Sequence, residues 1–190
     1  MSKRFPIPEF DRDQFKNLEW TPPAFLSKED QDRLIAAQKA GDAQVCGGYP
    51  IQADDAFYDH FSIRGEHRHA ILCVLPDRPV TVVGRSFAWY KQRALMVDSL
   101  DPTRATVLHD WRTPRPMNTR LGPENGVTLP GGILYVVCAH RYADHWIGNR
   151  TLIDNEWTDA PGGHGFRILS SSDDRMNDFH HCNLSFSWVG

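Results

Sequence analysis

The sequence lacks any hydrophobic run long enough to cross a lipid bilayer. Its longest uninterrupted apolar stretch covers residues 133–139, whereas a membrane-spanning helix needs about 20 mostly apolar residues. The chain begins Met-Ser-Lys-Arg-Phe-Pro, and no apolar segment follows these positive charges to form a secretory signal. These absences predict a cytoplasmic protein with no membrane partner.

Positive charge is also in short supply. The formal net charge is −3, and the scattered lysines and arginines form no dense basic tract. Binding to a phosphate backbone depends on such a positive field. Nucleic acid is therefore excluded as the main partner.

Cysteines are few and widely spaced, with no C-x-x-C pair. Each lies in or beside an apolar segment, which favours buried, reduced thiols over disulfides or zinc ligands. Cys138 and His140 share a strand face, but the apolar surroundings of Cys138 disfavour the thiolate that a nucleophile needs. The four cysteines are Cys46, Cys73, Cys138 and Cys182.

Motifs that would name an enzyme class are missing. The chain contains no G-x-S-x-G elbow, no P-loop, no dinucleotide-binding G-x-G-x-x-G and no H-E-x-x-H. Whether the protein is an enzyme is left open by its sequence.

What the sequence does contain is a period of two. In the last segment, Cys182, Leu184, Phe186 and Trp188 alternate with polar residues, as in an antiparallel strand with one buried face. Residues 132–140 are apolar on both faces, as expected for a central strand. The pattern predicts an all-β fold, a two-sheet antiparallel sandwich or jelly roll. Its expected strands are 43–46, 56–63, 67–75, 79–84, 93–100, 105–109, 132–140, 150–153, 166–170 and 181–189.

One helix and one arm precede these strands. Ser27 is a good N-cap, and Gly41 is a natural terminator, so a helix over residues 27–40 is predicted. Residues 1–26 form a proline-rich arm with apolar anchors, which predicts docking on its own domain or on another subunit of a homo-oligomer. Residues 27–190 then form a single domain.

Three histidines suggest a metal site. His67 and His69 project from one strand face, where two imidazoles can bind one divalent ion. His60 joins them only if a bulge shifts the register. The H-x-H spacing and the later Pro130-Gly131-Gly132 resemble metal motifs of the cupins. This resemblance implies jelly-roll geometry and a mononuclear metalloenzyme acting on a small molecule, while the alternative is that His67 and His69 are ordinary strand histidines.

An acidic loop lies just before the last strand. Aspartate and asparagine side chains supply the oxygen ligands that calcium prefers, although sharp turns use the same residues. Calcium binding and a simple turn are both compatible with this cluster. Its residues are Asp173, Asp174, Asn177 and Asp178.

Polar and aromatic residues concentrate between residues 140 and 165. Aromatic faces beside hydrogen-bonding side chains are the components of carbohydrate and small polar ligand sites. Trp146 and Trp157 are equally suited to packing in the core. The residues predicted to bind the ligand are Arg141, Asp144, His145, Trp146, Asn149, Trp157 and His164.

Together these features favour a cytoplasmic β-sandwich binding protein. Its predicted partner is a small polar or carbohydrate-like ligand, or another protein. The alternatives are the cupin-like metalloenzyme and an assembly protein that uses its N-terminal arm.

Overall fold

Two mostly antiparallel sheets form a β-sandwich, which confirms the predicted all-β class. The computed structural model describes residues 23–117, 120–157, 163–172, 179 and 181–190. The strands are β1 (Gly47–Gln52), β2 (Ile63–Arg64), β3 (His69–Leu75), β4 (Val80–Arg85), β5 (Gln92–Val97), β6 (Val107–Arg112), β7 (Arg120–Leu121), β8 (Val127–Leu129), β9 (Gly132–Tyr142), β10 (His145–Gly148), β11 (Arg150–Asp154), β12 (Gly163–Ser171) and β13 (Cys182–Val189).

The predicted N-terminal helix is present as α1 (Lys28–Lys39). Ser27 caps it, because its Oγ accepts the backbone N–H of Asp30 at 3.1 Å. Leu34 and Ile35 form its apolar stripe and pack against one of the hydrophobic cores. The helix therefore covers part of a sheet face.

Two predicted strands are helical instead. Residues 55–60 form a second helix, α2 (Asp55–His60), where a strand over 56–63 was expected. The Asp54 carboxylate caps it by accepting the N–H of Phe57 at 2.8 Å, and the buried rings of Phe57 and Tyr58 hold it on the sheet. The first expected strand, 43–46, is mostly a 3₁₀ turn over Ala43–Val45.

The long strand β9 organises the first sheet. One of its edges pairs with β5, which in turn pairs with β6. Its other edge pairs first with β3 and then with β10, so that β3 and β10 lie end to end along the same edge. We call the point where they meet the β3–β10 junction. The remaining strands, β1 and β2, extend β3 and β10.

The second sheet has the order β11-β12-β13-β4, and β4 also pairs with β7 and β8. The chain reaches this sheet directly from the first one, because Asn149 alone separates β10 from β11. The crossover therefore starts at the β3–β10 junction.

Hydrophobic residues of the first sheet divide between two cores. Ile71 and Cys73 of β3 face the second sheet, whereas Leu72 and Val74 lie in the core under the helices. Successive strand residues point to opposite faces, so a strand covered on both sides is apolar throughout. The double apolar pattern of β9 has the same cause.

Several sequence predictions fall outside the described residues. They include most of the N-terminal arm, residues 1–22, and the predicted calcium ligands Asp173, Asp174, Asn177 and Asp178. Within the described part of the chain, neither helix is long and apolar enough to cross a membrane.

Candidate functional site

The β3–β10 junction contains a buried polar network. Asn149 donates from its Nδ2 to Gln92 Oε1 and to Ser170 Oγ, at 3.0 Å each, and its Oδ1 lies 2.7 Å from His140 Nδ1. Gln92 is fully buried, and the exposed fractions of Asn149 and His140 are only 1% and 8%. Polar groups buried to this depth are stable only when they are paired, and these residues satisfy one another.

The network fixes the proton position on His140. Gln92 Nε2 donates to the Tyr90 carbonyl oxygen at 3.1 Å, so Oε1 of Gln92 is the acceptor for Asn149. The amide of Asn149 therefore presents its oxygen to the histidine. His140 must carry its proton on Nδ1, and in the neutral ring Nε2 is then a hydrogen-bond acceptor.

His140 forms part of the wall of a cavity at this junction. The cavity has a volume of about 180 Å³. Histidine, glutamate and serine residues line it from both sheets, together with one isoleucine and two glycines. We call it the junction cavity, and it is lined by Gly65, Glu66, His67, His140, Ile147, Gly148, Ser171 and Ser172.

His69 lies beside the cavity wall and is held in its neutral form. Its Nδ1 accepts the Thr151 N–H at 3.3 Å, and its ring lies 5.5 Å from that of His67. Burial, followed by the nearby His67 and Arg150, lowers the pKa of His69 to about 4. A charged His69 is therefore incompatible with the packed junction near neutral pH.

This lowered pKa predicts that stability depends on pH. An unfolded chain protonates histidine near pH 6.5, whereas His69 in the fold takes up a proton only near pH 4. The free energy of unfolding is therefore highest above about pH 6.5, and it falls by about 2–3 kcal/mol as the pH is lowered towards 4. Denaturant unfolding at pH 7 and pH 4 measures this loss.

The control for the pH prediction is an exposed histidine. His69→Gln should remove the 2–3 kcal/mol component, whereas His60→Gln, at an exposed position, should leave it unchanged. The same pH dependence in both variants would show that another group is responsible.

The predicted metal site is only partly assembled. The rings of His67 and His69 are neighbours. His60, however, is the last residue of α2, and its ring centre lies 4.8 Å from that of Phe61. Across the described ranges, no three His, Cys, Asp or Glu side chains form a group that could hold an ion. The described residues therefore offer one imidazole pair, and a divalent metal at His67 and His69 stays a prediction.

The residues predicted to bind a ligand are separated into several places. Arg141 and Asp144 lie at the exposed turn between β9 and β10, with 3.7 Å between their charged atoms. His145 Nε2 lies 3.2 Å from an Arg64 nitrogen. Trp146 is half-buried, and the guanidinium groups of Arg93 and Arg112 each lie 5.7 Å from its ring. The four predicted ligand residues, Arg141, Asp144, His145 and Trp146, therefore lie on the β9–β10 hairpin of the first sheet.

His164 lies in β12 of the second sheet, and Trp157 follows β11 of the same sheet. Trp157 is 7% exposed and stacks with the Arg167 guanidinium at 5.5 Å. His164 stacks on Trp188 with ring centres 6.4 Å apart. Asn149 is the predicted ligand residue that lies at the junction, where it contacts cavity-lining His140 but is itself buried.

Sequence reasoning did not single out several residues of the junction. Ser170 was missed because it ended an ordinary predicted strand, 166–170, and Gln92 because it lay just before another, 93–100. The run Ser170-Ser171-Ser172 at the end of apolar β12 was a usable signal, since hydroxyls that end a buried strand must find partners there. Gln92 has no such signal, because its partner Asn149 is 57 positions away.

All four cysteines are free thiols. Cys46 is partly exposed, while Cys73, Cys138 and Cys182 are buried. Burial raises the pKa of Cys73, and hydrogen bonding to Cys138 together with burial raises that of Cys182. The Sγ atoms of Cys138 and Cys182 lie 3.6 Å apart between the sheets. Cys73, Cys138 and Cys182 are packing groups in the core, as their apolar sequence settings predicted, whereas the prediction of a buried thiol is wrong for Cys46.

No protein-family model matches the sequence, and no curated protein matches it. Among solved structures, the Ralstonia solanacearum high-affinity mannose-binding lectin aligns with a TM-score of 0.47 and 12% identity, covering 63% of this chain and 96% of the lectin. A Chromobacterium violaceum lectin, solved with alpha-methyl-fucoside, aligns with a TM-score of 0.47 and 11% identity, covering 63% of this chain and 96% of that lectin. The C-terminal domain of a Burkholderia cenocepacia lectin aligns with a TM-score of 0.43 and 15% identity, covering 62% of this chain and 92% of that domain. At these scores the alignments carry no argument about the fold or the ligand of this chain.

Proposed function

We propose that the protein binds a small neutral hydroxylated molecule, of the saccharide class, in the junction cavity. The observation that carries this proposal is the orientation of His140. A chain of three hydrogen bonds, from the Tyr90 carbonyl through Gln92 and Asn149, holds this ring at the cavity wall with a known acceptor nitrogen. Such preorganisation lowers the cost of binding, because the ring need not be ordered by the ligand.

The lining groups match the hydrogen-bonding pattern of a polyol. A hydroxyl both donates and accepts, so a site for it needs acceptors and donors close together. His140 Nε2 and the Glu66 carboxylate are acceptors, the Ser171 hydroxyl can do both, and the Ser172 hydroxyl oxygen can accept. An apolar ligand offers such groups no hydrogen bond in place of water, whereas a hydroxylated ligand does.

Charge and size narrow the ligand further. Among the described residues that line the cavity there is one carboxylate, Glu66, and no lysine or arginine. Phosphates and carboxylates are therefore disfavoured. The volume of about 180 Å³ is below the range of roughly 300–1,000 Å³ typical of drug-sized ligands. It suits a single sugar ring or a smaller polyol.

Aromatic rings adjoin the cavity wall. The Tyr90 ring lies 5.6 Å from that of His140 and 5.9 Å from that of Tyr142. Tyr142 is 57% exposed, so its ring is available to pack against the C–H face of a sugar that extends out of the cavity. Polar groups inside and aromatic rings nearby are the combination that a saccharide requires.

Titration with monosaccharides and small polyols, followed by NMR or calorimetry, tests the proposal. For the best member of the panel, we expect Tyr142→Ala to weaken binding by about 1–2 kcal/mol, or roughly 5- to 30-fold. Tyr142 is exposed, so this change should leave folding stability within about 0.5 kcal/mol of the wild type. Folding and binding effects are thereby separated.

The matched control is Val189→Ala, an equally exposed apolar residue at the end of β13. It should alter neither binding nor stability. A folded protein that binds no member of the panel at millimolar concentration would contradict the proposal. So would equal weakening by Tyr142→Ala and Val189→Ala.

A further inference from the structure

Ser172 and His181 form a hydrogen-bonded pair beside the junction cavity. The Ser172 backbone N–H donates to His181 Nδ1 at 2.9 Å, and the Ser172 Oγ lies 2.7 Å from the same nitrogen. A backbone N–H can only donate, so Nδ1 is unprotonated and the neutral ring carries its proton on Nε2. With Nδ1 unprotonated, the Ser172 hydroxyl is the donor in the 2.7 Å contact and shares the nitrogen lone pair with the backbone N–H.

The fold holds both residues in place. Ser172 directly follows β12, and His181 directly precedes β13, its neighbour in the second sheet. The His181 N–H donates to the Ser170 carbonyl at 3.0 Å, which ties the two strand ends together. His181 is 8% exposed, whereas Ser172 lines the cavity. Ser172 therefore lies at the cavity, and its largely buried partner lies beside it.

This arrangement has the geometry of an activated nucleophile. A hydroxyl that donates to an unprotonated imidazole nitrogen at about 2.6–3.2 Å can pass its proton to that nitrogen as it attacks. We propose that Ser172 is a nucleophile, that His181 is its general base, and that the protein hydrolyses esters of small acids with hydroxylated molecules such as O-acyl saccharides. This inference rests on the proposed function, since the junction cavity must admit the alcohol part of the ester.

The reaction balances without a further reagent. Ser172 Oγ bonds to the carbonyl carbon of the ester, its proton moves to His181 Nδ1, and the carbonyl electron pair moves onto oxygen. Collapse breaks the bond to the alcohol oxygen, which takes the proton from His181 and leaves an acyl-Ser172. Water then attacks the acyl group with His181 as base, so that ester and water give acid and alcohol.

Other residues that line the cavity can stabilise the negative charge that develops during ester hydrolysis. The tetrahedral intermediate carries a negative oxygen, which needs donors close to where it forms. His67 and Ser171 line the same cavity and can donate a ring N–H and a hydroxyl. The small cavity favours a short acyl group, of which acetyl is the simplest.

The test uses the full chain with p-nitrophenyl acetate and with O-acetylated monosaccharides. We expect a burst of product, an acetyl group on Ser172 in the intact-mass and peptide spectra, and a rate that falls at acid pH as the base becomes protonated. Ser172→Ala should abolish the acyl adduct. Ser99→Ala, a serine that does not line the cavity, should retain it.

A conservative variant separates chemistry from structure. His181→Gln keeps an acceptor for the Ser172 N–H and hydroxyl but removes a base that can take a proton near neutral pH. We expect folding to be preserved and acylation to slow by about 10²- to 10⁴-fold. An acylation rate equal to that of the wild type would show that the pair only closes the strand ends.

The outcomes distinguish this inference from the proposed function. Saccharide binding without ester turnover or a Ser172 adduct would overturn the inference and leave the binding function standing. Absence of both would overturn both. An adduct on Ser172 without saccharide binding would retain the nucleophile and overturn the saccharide as its ligand.

Discussion

Replacing Asn149 by alanine is expected to lower the free energy of unfolding by about 3–5 kcal/mol. The substitution removes three hydrogen bonds at a site that is 1% exposed. It leaves the His140 Nδ1–H and the Gln92 Oε1 without that partner, and each buried unpaired group costs about 1–3 kcal/mol. Urea denaturation monitored by tryptophan fluorescence measures the loss.

Asn155 provides the matched control, because its side chain also makes long-range hydrogen bonds, in this case two. Its side chain accepts the Gly48 N–H at 2.8 Å and donates to the Gly48 carbonyl at 3.0 Å, but it is exposed. Water can replace those bonds, so Asn155→Ala should cost only about 0.5–1.5 kcal/mol. Equal losses from the two variants would mean that the junction network contributes no more than a surface contact.

The Asn149 variant also tests how the cavity works. Without Asn149 Oδ1, the ring of His140 loses the acceptor that fixes its proton on Nδ1. Saccharide binding should then weaken even where the protein remains folded. Unchanged affinity in Asn149→Ala would show that the orientation of His140 does not matter for the ligand.

Replacing Trp157 by alanine is expected to cost about 3–5 kcal/mol of folding stability with no direct effect on ligand affinity. Trp157 is 7% exposed and packs so closely over Gly165 that a Cβ on that glycine would lie 2.9 Å from the indole. The large ring therefore fills a space that alanine would leave empty. Denaturation midpoints and binding constants for the same variant separate the two effects.

Trp89 is the control for this prediction. It is 75% exposed, so Trp89→Ala should change the free energy of unfolding by no more than about 0.5 kcal/mol. A stable Trp157→Ala variant with weakened saccharide affinity would contradict the assignment of Trp157 to packing. It would also restore this residue to the ligand site predicted from the sequence.

Local patterns were sufficient wherever a strand is long and has a definite face. The alternation in β13 and the double apolar pattern of β9 predicted both strands and their burial, because side-chain direction in a strand repeats every two residues. The Ser27 cap likewise predicted the start of α1. Such features depend on neighbours in the sequence alone.

Short elements were predicted less well. Helix α2 spans only Asp55–His60, and a segment of this length carries too few apolar residues to distinguish a helical period from an extended one. The deciding interactions are the Asp54 cap and the packing of Phe57 and Tyr58 against the sheet. Burial of those rings depends on the tertiary structure, which no local pattern contains.

The candidate site likewise combines a residue predicted from the sequence with partners that only the tertiary structure supplies. Asn149 was predicted to bind a ligand because it lies in a polar, aromatic stretch, but its role depends on Gln92 and Ser170, which come from β5 and β12. His164 and Trp157 belong to the same stretch of sequence, yet the crossover at Asn149 carries the chain to the other sheet before it reaches them. Proximity in sequence is therefore a poor guide to shared sites where a chain changes sheets.

By itself, the sequence determined the all-β class, the N-terminal helix, the main strands and the apolar settings of the cysteines. These follow from side-chain periodicity and capping, which act between residues a few positions apart. Only the tertiary structure decided that β3 and β10 meet end to end on β9 and that a cavity opens there. It also brought Ser172 to His181 and His140 to Asn149. Such contacts depend on strand pairing between distant segments, where burial forces polar groups to find partners that no local pattern specifies.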